Sequence, residues 1–285
     1  MICLAIAPLL RGRSGCCIRS LELSDILLAA TLTHQPSTRI QICGRLAVEI
    51  DGRSVTTLIP RRQGRVLFCY LVLNRHRHSS REDLIEALWP EGAPPGPDGA
   101  LSTVLSRLRH AIGMDAFEGR GEVRLVLPPN SWIDYEAAEE AIHRAESAIA
   151  QGRWSRAWGP SLVALFVARR GFLRGEDAPW IEPPRRRLED IQISALECYT
   201  ASALGLAGGE LAVGERTARE LIGLAPYRES GYRLLMEILA ARGNTAEALR
   251  AYEELRTLLR EELGATPSPA IQALQVQLLK AAEHA

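Results

Sequence analysis

The sequence predicts two structural classes in one chain: a small α+β domain, followed by an all-α domain of repeated helices. Three observations predict that division. Between positions 39 and 55, apolar and polar residues alternate with the period of half-buried strands. Three helix-period segments and a glycine-centred hairpin follow, the hairpin ending near Pro128-Pro129. From position 188 onward the chain resembles itself at a shift of 34 residues, which is the spacing of stacked helix pairs. The expected boundaries are therefore 1–37 for an N-terminal extension, 38–133 for the α+β domain and 134–285 for the helical one.

The extension begins with the apolar run MICLAIAPLL. It lacks a charged leading region and is followed by Arg11, Arg13 and Arg19, the wrong flanks for a secretory signal. It reads as a poorly ordered segment, or as the product of a start codon placed too far upstream. Next, Ile40, Ile42, Leu46, Val48, Ile50 and Val55 alternate with polar residues around Gly44 and an Asp51-Gly52 turn. That pattern predicts two or three short antiparallel strands. The segment 62–74 (RQGRVLFCYLVLN) is apolar around most of a helix and is expected to be buried. Ser80 and Asp83 have capping-box spacing ahead of a helix over 81–89, which Pro90 stops. The segment 90–99 (PEGAPPGPDG) reads as a non-helical loop.

A third helix is expected over 100–112 (ALSTVLSRLRHAI). Advancing 100° per residue places Leu101, Val104, Leu105, Leu108 and Ile112 on one face. The other face carries Ser102, Thr103, Ser106, Arg107 and His110, with Arg109 on its flank and no carboxylate over those thirteen positions. A merely solvated helix face usually mixes both signs, so that absence is informative. Gly119 to Gly121 then joins two short apolar stretches into a hairpin.

Beyond Trp132 the pattern is helical, with a long amphipathic segment over 134–151. Gly209 and Gly243 lie 34 residues apart, and the same shift superposes Leu204 on Ile238, Ala212 on Ala246, Leu221 on Leu255 and Leu224 on Leu258. That period belongs to tetratricopeptide helix pairs. Helices over 137–150 and 161–170 are expected to supply further pairs, and 269–282 a closing helix.

Composition excludes several classes. Charged residues are 24% and hydrophobic ones 47% of the chain, as in globular proteins. Lys280 is the sole lysine, so a phosphate-binding P-loop, a kinase-type strand lysine and a Schiff base have no candidate. No G-x-S-x-G, H-E-x-x-H or dinucleotide-type glycine loop is present, and His76-x-His78 lacks a recognisable third metal ligand. The reading is of a non-enzyme with no cofactor, no metal and no evident small-molecule ligand. The six cysteines, Cys3, Cys16, Cys17, Cys43, Cys69 and Cys198, match no zinc or disulfide spacing and suit a reducing cytoplasm. No apolar run reaches the ~18 residues of a membrane span. The formal charge of zero hides a polarity: +3 over 39–133 against −4 over 134–285.

The order of strands, three helices and terminal hairpin resembles an OmpR-type winged helix, and the remainder resembles the bacterial transcriptional activator domain of antibiotic-pathway regulators. The match rests on Ser106-Arg107-Leu108-Arg109, on 172–180 (FLRGEDAPW), on 185–189 (RRRLE), on 246–252 (AEALRAY) and on 261–268 (EELGATPS). It covers about 39 to 279. The resemblance implies an α+β winged helix followed by tetratricopeptide-like repeats, in a cytoplasmic transcriptional activator of bacterial type. It implies that helix 100–112 enters the major groove of promoter DNA, with Arg107, Thr103, Ser102, Ser106 and His110 towards base edges and flanking phosphates and Arg109 beside them. Arg61 and Arg62 at the first helix, and Arg120 and Arg124 in the wing, would hold phosphates, which fix register without reading sequence. RNA polymerase, facing the 90–99 loop, and a second copy of the chain are the protein partners the resemblance implies. The wing departs from the family in setting only Arg120 and Arg124 against Glu118 and Glu122. The rival reading is a repeat-based adaptor whose winged helix does not bind DNA.

Overall fold

In a computed structural model, residues 38–283 are described; the expected 1–37 extension, with Cys3, Cys16 and Cys17, lies outside them. Strands β1 (Thr38–Gln41), β2 (Ala47–Ile50) and β3 (Arg53–Ser54) form the expected antiparallel meander, with Ile40 opposite Val48. The Asp51-Gly52 turn has φ of 50° and 73°, the left-handed pair that a tight hairpin requires and that Asp-Gly tolerates. Helix α1 (Arg62–Leu73) buries Gly64 and everything from Val66 to Val72, as its nearly uniform apolarity demands.

Strand β4 (Ser79–Ser80) leads into α2 (Arg81–Leu88), which opens on the predicted capping box: the Asp83 N–H donates to Ser80 Oγ at 3.1 Å, and the Ser80 N–H to Asp83 Oδ2 at 3.0 Å. Helix α3 then spans Pro97–Ile112. The 90–99 segment is thus not wholly a loop, and the third helix starts three residues before Ala100. Pro97 stands at the first turn, where its fixed φ is already helical and its missing N–H costs nothing. Strands β5 (Phe117–Glu118) and β6 (Glu122–Leu125) make the hairpin, and β4 pairs with β6 on its other side. Strand β7 (Trp132–Ile133) pairs in parallel with β1, giving the sheet order β3-β2-β1-β7. Two residues are too few for an alternation signal, and β7 was not expected.

Seven helices follow: α4 (Asp134–Ala150), α5 (Trp154–Arg170), α6 (Glu182–Leu206), α7 (Leu211–Leu224), α8 (Glu229–Ala241), α9 (Thr245–Leu263) and α10 (Pro269–Glu283). Helix α5 begins seven residues ahead of the expected Ser161, running through Pro160. Buried Ala157, Ala164, Leu165 and Val167 hold it against its neighbours, so tertiary packing outweighs the proline. Successive helices pack as neighbours and α4, α6 and α8 also touch in turn, the arrangement of stacked helix pairs. Gly209 and Gly243 both fall in the turns between paired helices, and the superposed Leu221 and Leu255 are both fully buried.

The residues expected as two domains share a core. One hydrophobic cluster runs from Ile40 and Phe68 through Leu105 and Leu125 to Ala141, Phe172, Ile181 and Leu196. Partly buried Trp180 packs against this cluster, edge-on to Tyr70 at 5.1 Å and to Phe172 at 5.9 Å, with its indole N–H donating to the Ala87 carbonyl at 3.0 Å. Cys43 bridges to Phe172 as an isolated antiparallel pair, and the Gly44 N–H donates to the Gly171 carbonyl at 2.7 Å. Arg185 forks onto the carbonyls of Phe172, Leu173 and Glu176, holding Leu173 at φ 41°. Most of the 172–180 motif is therefore a clasp between helical repeats and winged helix. A second cluster, built on Leu235, Met236, Tyr252, Leu255 and Ile271, belongs to the last helices alone.

Candidate nucleic-acid interface

Helix α3 is shaped at both ends by glycine. Gly96 enters it at φ 67°, and Gly113, at φ 117°, leaves it. Arg109 and His110 in the last turn and Asp98 in the first complement the helix dipole. Leu101, Val104, Leu105, Leu108 and Ile112 are all buried, as the periodicity predicts, and they seat the helix on α1 and α2. Ser102, Thr103, Ser106, Arg107 and His110 are consequently all exposed.

The polar residues of this face differ in how they are held. Arg107, Ser106 and His110 make no side-chain hydrogen bond or ion pair with any described residue. Thr103 Oγ1 donates to the Gly99 carbonyl at 2.9 Å, and Ser102 Oγ accepts from Arg81 Nη2 at 3.0 Å. Arg109 is half-buried. Its guanidinium stacks 5.8 Å from the centre of the Phe117 ring and donates to the Gly119 carbonyl at 3.2 Å, bracing the wing against the helix.

The phosphate candidates divide in the same way. Arg61 and Arg120 are exposed and carry no side-chain partner among the described residues. Arg62 donates from Nε to Glu176 Oε2 at 2.8 Å, which raises its pKa above the ordinary arginine value. Arg124 is paired across the hairpin with Glu118 Oε2 at 2.5 Å. The wing turn itself depends on Gly119: its φ is 82°, and a Cβ there would lie 1.9 Å from the Glu122 carbonyl oxygen.

Two residues that the sequence does not single out as site residues meet at the start of α3. Arg81, first residue of α2, donates from Nε to Asp98 Oδ1 at 2.7 Å and from Nη2 to the Asp98 carbonyl at 2.8 Å, besides its bond to Ser102. Asp98 came into the helix only because the helix begins at Pro97, so the face does carry one carboxylate. The capping box fixed Arg81 at the head of α2 in the sequence, but its reach to a helix 17 residues away had no local signal.

At the head of α4, the Asp134 carboxylate is fully buried and accepts from the backbone N–H groups of Ile42 at 2.8 Å and Cys43 at 3.1 Å. Burial pushes its pKa up to about 6, against the lowering effects of those bonds and of Arg170 at 3.8 Å. Burial likewise raises the thiols of Cys43, Cys69 and Cys198, the latter two to about 12. Such thiols are inert. Among the described residues, no group of three or more His, Cys, Asp or Glu could hold a metal, and no helix is long and apolar enough to cross a membrane.

Comparison with known proteins gives a consistent set of likenesses. Residues 133–279 match the sequence profile of the bacterial transcriptional activator domain. The regulatory protein AfsR of Streptomyces griseus is 32% identical over 222 residues, covering 78% of this chain and 23% of that protein. The transcriptional regulatory protein EmbR of Mycobacterium tuberculosis is 29% identical over 269 residues, covering 89% of this chain and 66% of that one. The chain thus spans less than a quarter of AfsR and about two thirds of EmbR. A solved structure of M. tuberculosis EmbR in complex with a low-affinity phosphopeptide superposes with a TM-score of 0.72 at 26% identity, over 87% of this chain and 66% of that one.

Proposed function

The chain belongs to the bacterial transcriptional activator domain family, and from that premise we propose that it is a DNA-binding regulator of transcription, an activator, with α3 reading promoter DNA in the major groove. The observation that carries this reading is the outward face of α3. Its other side is anchored in the core, while Ser106, Arg107 and His110 stand exposed and unpartnered among the described residues. Arg107 is the base reader: its planar fork fits the O6 and N7 of guanine bidentately. Arg61, just ahead of α1, and Arg120, in the wing, hold phosphates on either side, with Arg62 and Arg124 joining them when released from Glu176 and Glu118.

The helical repeats serve as the protein-binding part, for RNA polymerase, a second copy of the chain or a regulatory signal. The relatives carry the names of regulatory proteins, and the chain acts in the cytoplasm by binding rather than by catalysis. One observation favours the rival adaptor reading: Arg62 and Arg124 already have carboxylate partners, which trims a basic footprint of only +3.

Fluorescence anisotropy with the full chain separates the two. On promoter duplexes, log K should fall linearly with log salt, as phosphate contacts impose, and Arg107→Ala should cost about 1–3 kcal/mol at the preferred site. Weak binding, flat with salt and indifferent to Arg107→Ala, would establish the adaptor instead.

A further inference from the structure

The start of α3 holds an arrangement that a phosphate-contacting arginine would not make. The Arg81 guanidinium is three-quarters covered and directs its bonds at α3: the Asp98 carboxylate, the Asp98 carbonyl and the Ser102 hydroxyl. Asp98 remains 71% exposed, and its Oδ2 has no partner among the described residues.

Proton accounting assigns each group a polarity. Arg81 Nε–H can only donate, so the Asp98 Oδ1 accepts and Oδ2 is left facing outward as an acceptor. Ser102 Oγ accepts from Arg81 Nη2, so its own hydroxyl proton is free to donate outward. Thr103 is the reverse: its proton goes to the Gly99 carbonyl, leaving only lone pairs. Asp98 and Ser102 lie four residues apart, about 6 Å of helix rise. Base pairs rise about 3.4 Å, so the two side chains reach positions about one to two base pairs apart in a groove.

We propose that Arg81, Asp98 and Ser102 form a base-reading unit: Asp98 accepts from the exocyclic amine of cytosine or adenine, Ser102 donates to a base acceptor, and Arg81 is the positioning residue that fixes both. The inference rests on the DNA-reading function proposed above. A carboxylate near phosphates would otherwise be repelled, and Arg81 removes that penalty by neutralising it. Cytosine N4 and adenine N6 are the amines displayed in the major groove, and guanine and thymine present oxygen acceptors at the corresponding place.

The test is selection from a randomised duplex library by the full chain, comparing wild type with Asp98→Asn, Arg81→Lys, Ser102→Ala and Arg107→Ala. Wild type should select C or A at one position by about five-fold or more. In Asp98→Asn, Arg81 Nε–H still requires the amide oxygen, which turns the amide N–H outward; the preference should invert to G or T at that same position. Arg81→Lys keeps the charge but loses the fork, so preference should fade at both positions while the salt slope stays unchanged. Ser102→Ala should affect its own position only.

An unchanged selected sequence in both Asp98→Asn and Arg81→Lys overturns the proposal, provided wild type selects and Arg107→Ala weakens it. Thermal melts followed by circular dichroism guard against misfolding, and the exposed Asp98 keeps the test valid if Arg81→Lys is unstable. If wild type neither selects a sequence nor binds with salt dependence, the DNA-reading function itself is what fails.

Discussion

The two hydrophobic cores of this chain solve different problems. The first spans the winged helix and the helices α4 to α6 and reaches Leu221 of α7, so α3 and the first repeats stand on one continuous packing. The second is confined to the helices from α7 onward and contains only repeat-to-repeat contacts. Their polar fastenings differ too. In the first, a fully buried carboxylate, Asp134, takes the backbone N–H groups of Ile42 and Cys43, just beyond β1. In the second, Glu229 accepts from the Ser268 N–H at 3.0 Å and from its hydroxyl at a half-buried surface. A repeat array tolerates local loosening because each unit depends mainly on its neighbours. The shared core has no such freedom, so a disturbance in the helices reaches the outward face of α3.

The sharpest way to break this comparison is one large truncation in each core. Phe172→Ala removes a fully buried ring that lies edge-on to Tyr135 at 6.5 Å and to Trp180. It should cost about 3–5 kcal/mol and, on the proposed function, weaken DNA binding together with stability, although Phe172 lies outside the winged helix. Leu255→Ala in the second core should cost about 2–5 kcal/mol while leaving the hydrogen-exchange protection of α3 near its wild-type level. Equal loss of protection at α3 in both variants would mean that the two cores unfold as one.

Asp134 sharpens the same comparison at smaller amplitude. Its carboxyl is pushed up to about 6 from 3.8, mainly by burial, so the folded protein holds that proton more tightly than the unfolded chain. The sign follows: Asp134 contributes most favourably below about pH 4, its contribution falls as pH rises towards 6, and it is level above that. Asp134→Asn keeps an acceptor for Ile42 and Cys43 and abolishes the titration. The stability difference between wild type and this variant should therefore drift by at most about 3 kcal/mol between pH 4 and 6, against wild type at the higher pH. Denaturant midpoints across that range measure it. A drift of opposite sign would show that the backbone bonds and Arg170 outweigh burial.

Legibility in the sequence followed the range of the interaction. The apolar stripe of α3, the Ser80–Asp83 cap and the Asp51-Gly52 turn are local patterns, and each appears as read. Proline misled twice, because its cost depends on position and packing: Pro97 opens a helix that it was expected to exclude, and Pro160 sits inside one. The candidate site was half legible. Exposure of Ser102, Thr103, Ser106, Arg107 and His110 follows from periodicity, but the partners of the arginines do not. Arg81 meets a carboxylate 17 residues away and Arg62 one 114 residues away, and only the folded chain brings them together.

The pair Arg62–Glu176 offers the finest distinction between fastening and surface. Glu176 sits on the loop that Arg185 holds rigid, whereas Arg62 is 77% exposed at the head of α1. With the Arg62 side chain this open to water and salt, the pair adds little to stability, although Glu176 is largely covered. Glu176→Gln should therefore leave the melting midpoint unchanged, in contrast to Phe172→Ala a few residues earlier on the same motif. On the proposed function it should still alter DNA binding, because the released guanidinium becomes available to a phosphate. The expected change is a steeper dependence of log K on log salt, by up to about one in the slope, with the selected sequence unaltered. A lowered midpoint with an unchanged slope would instead make Arg62–Glu176 part of the clasp that joins winged helix to repeats.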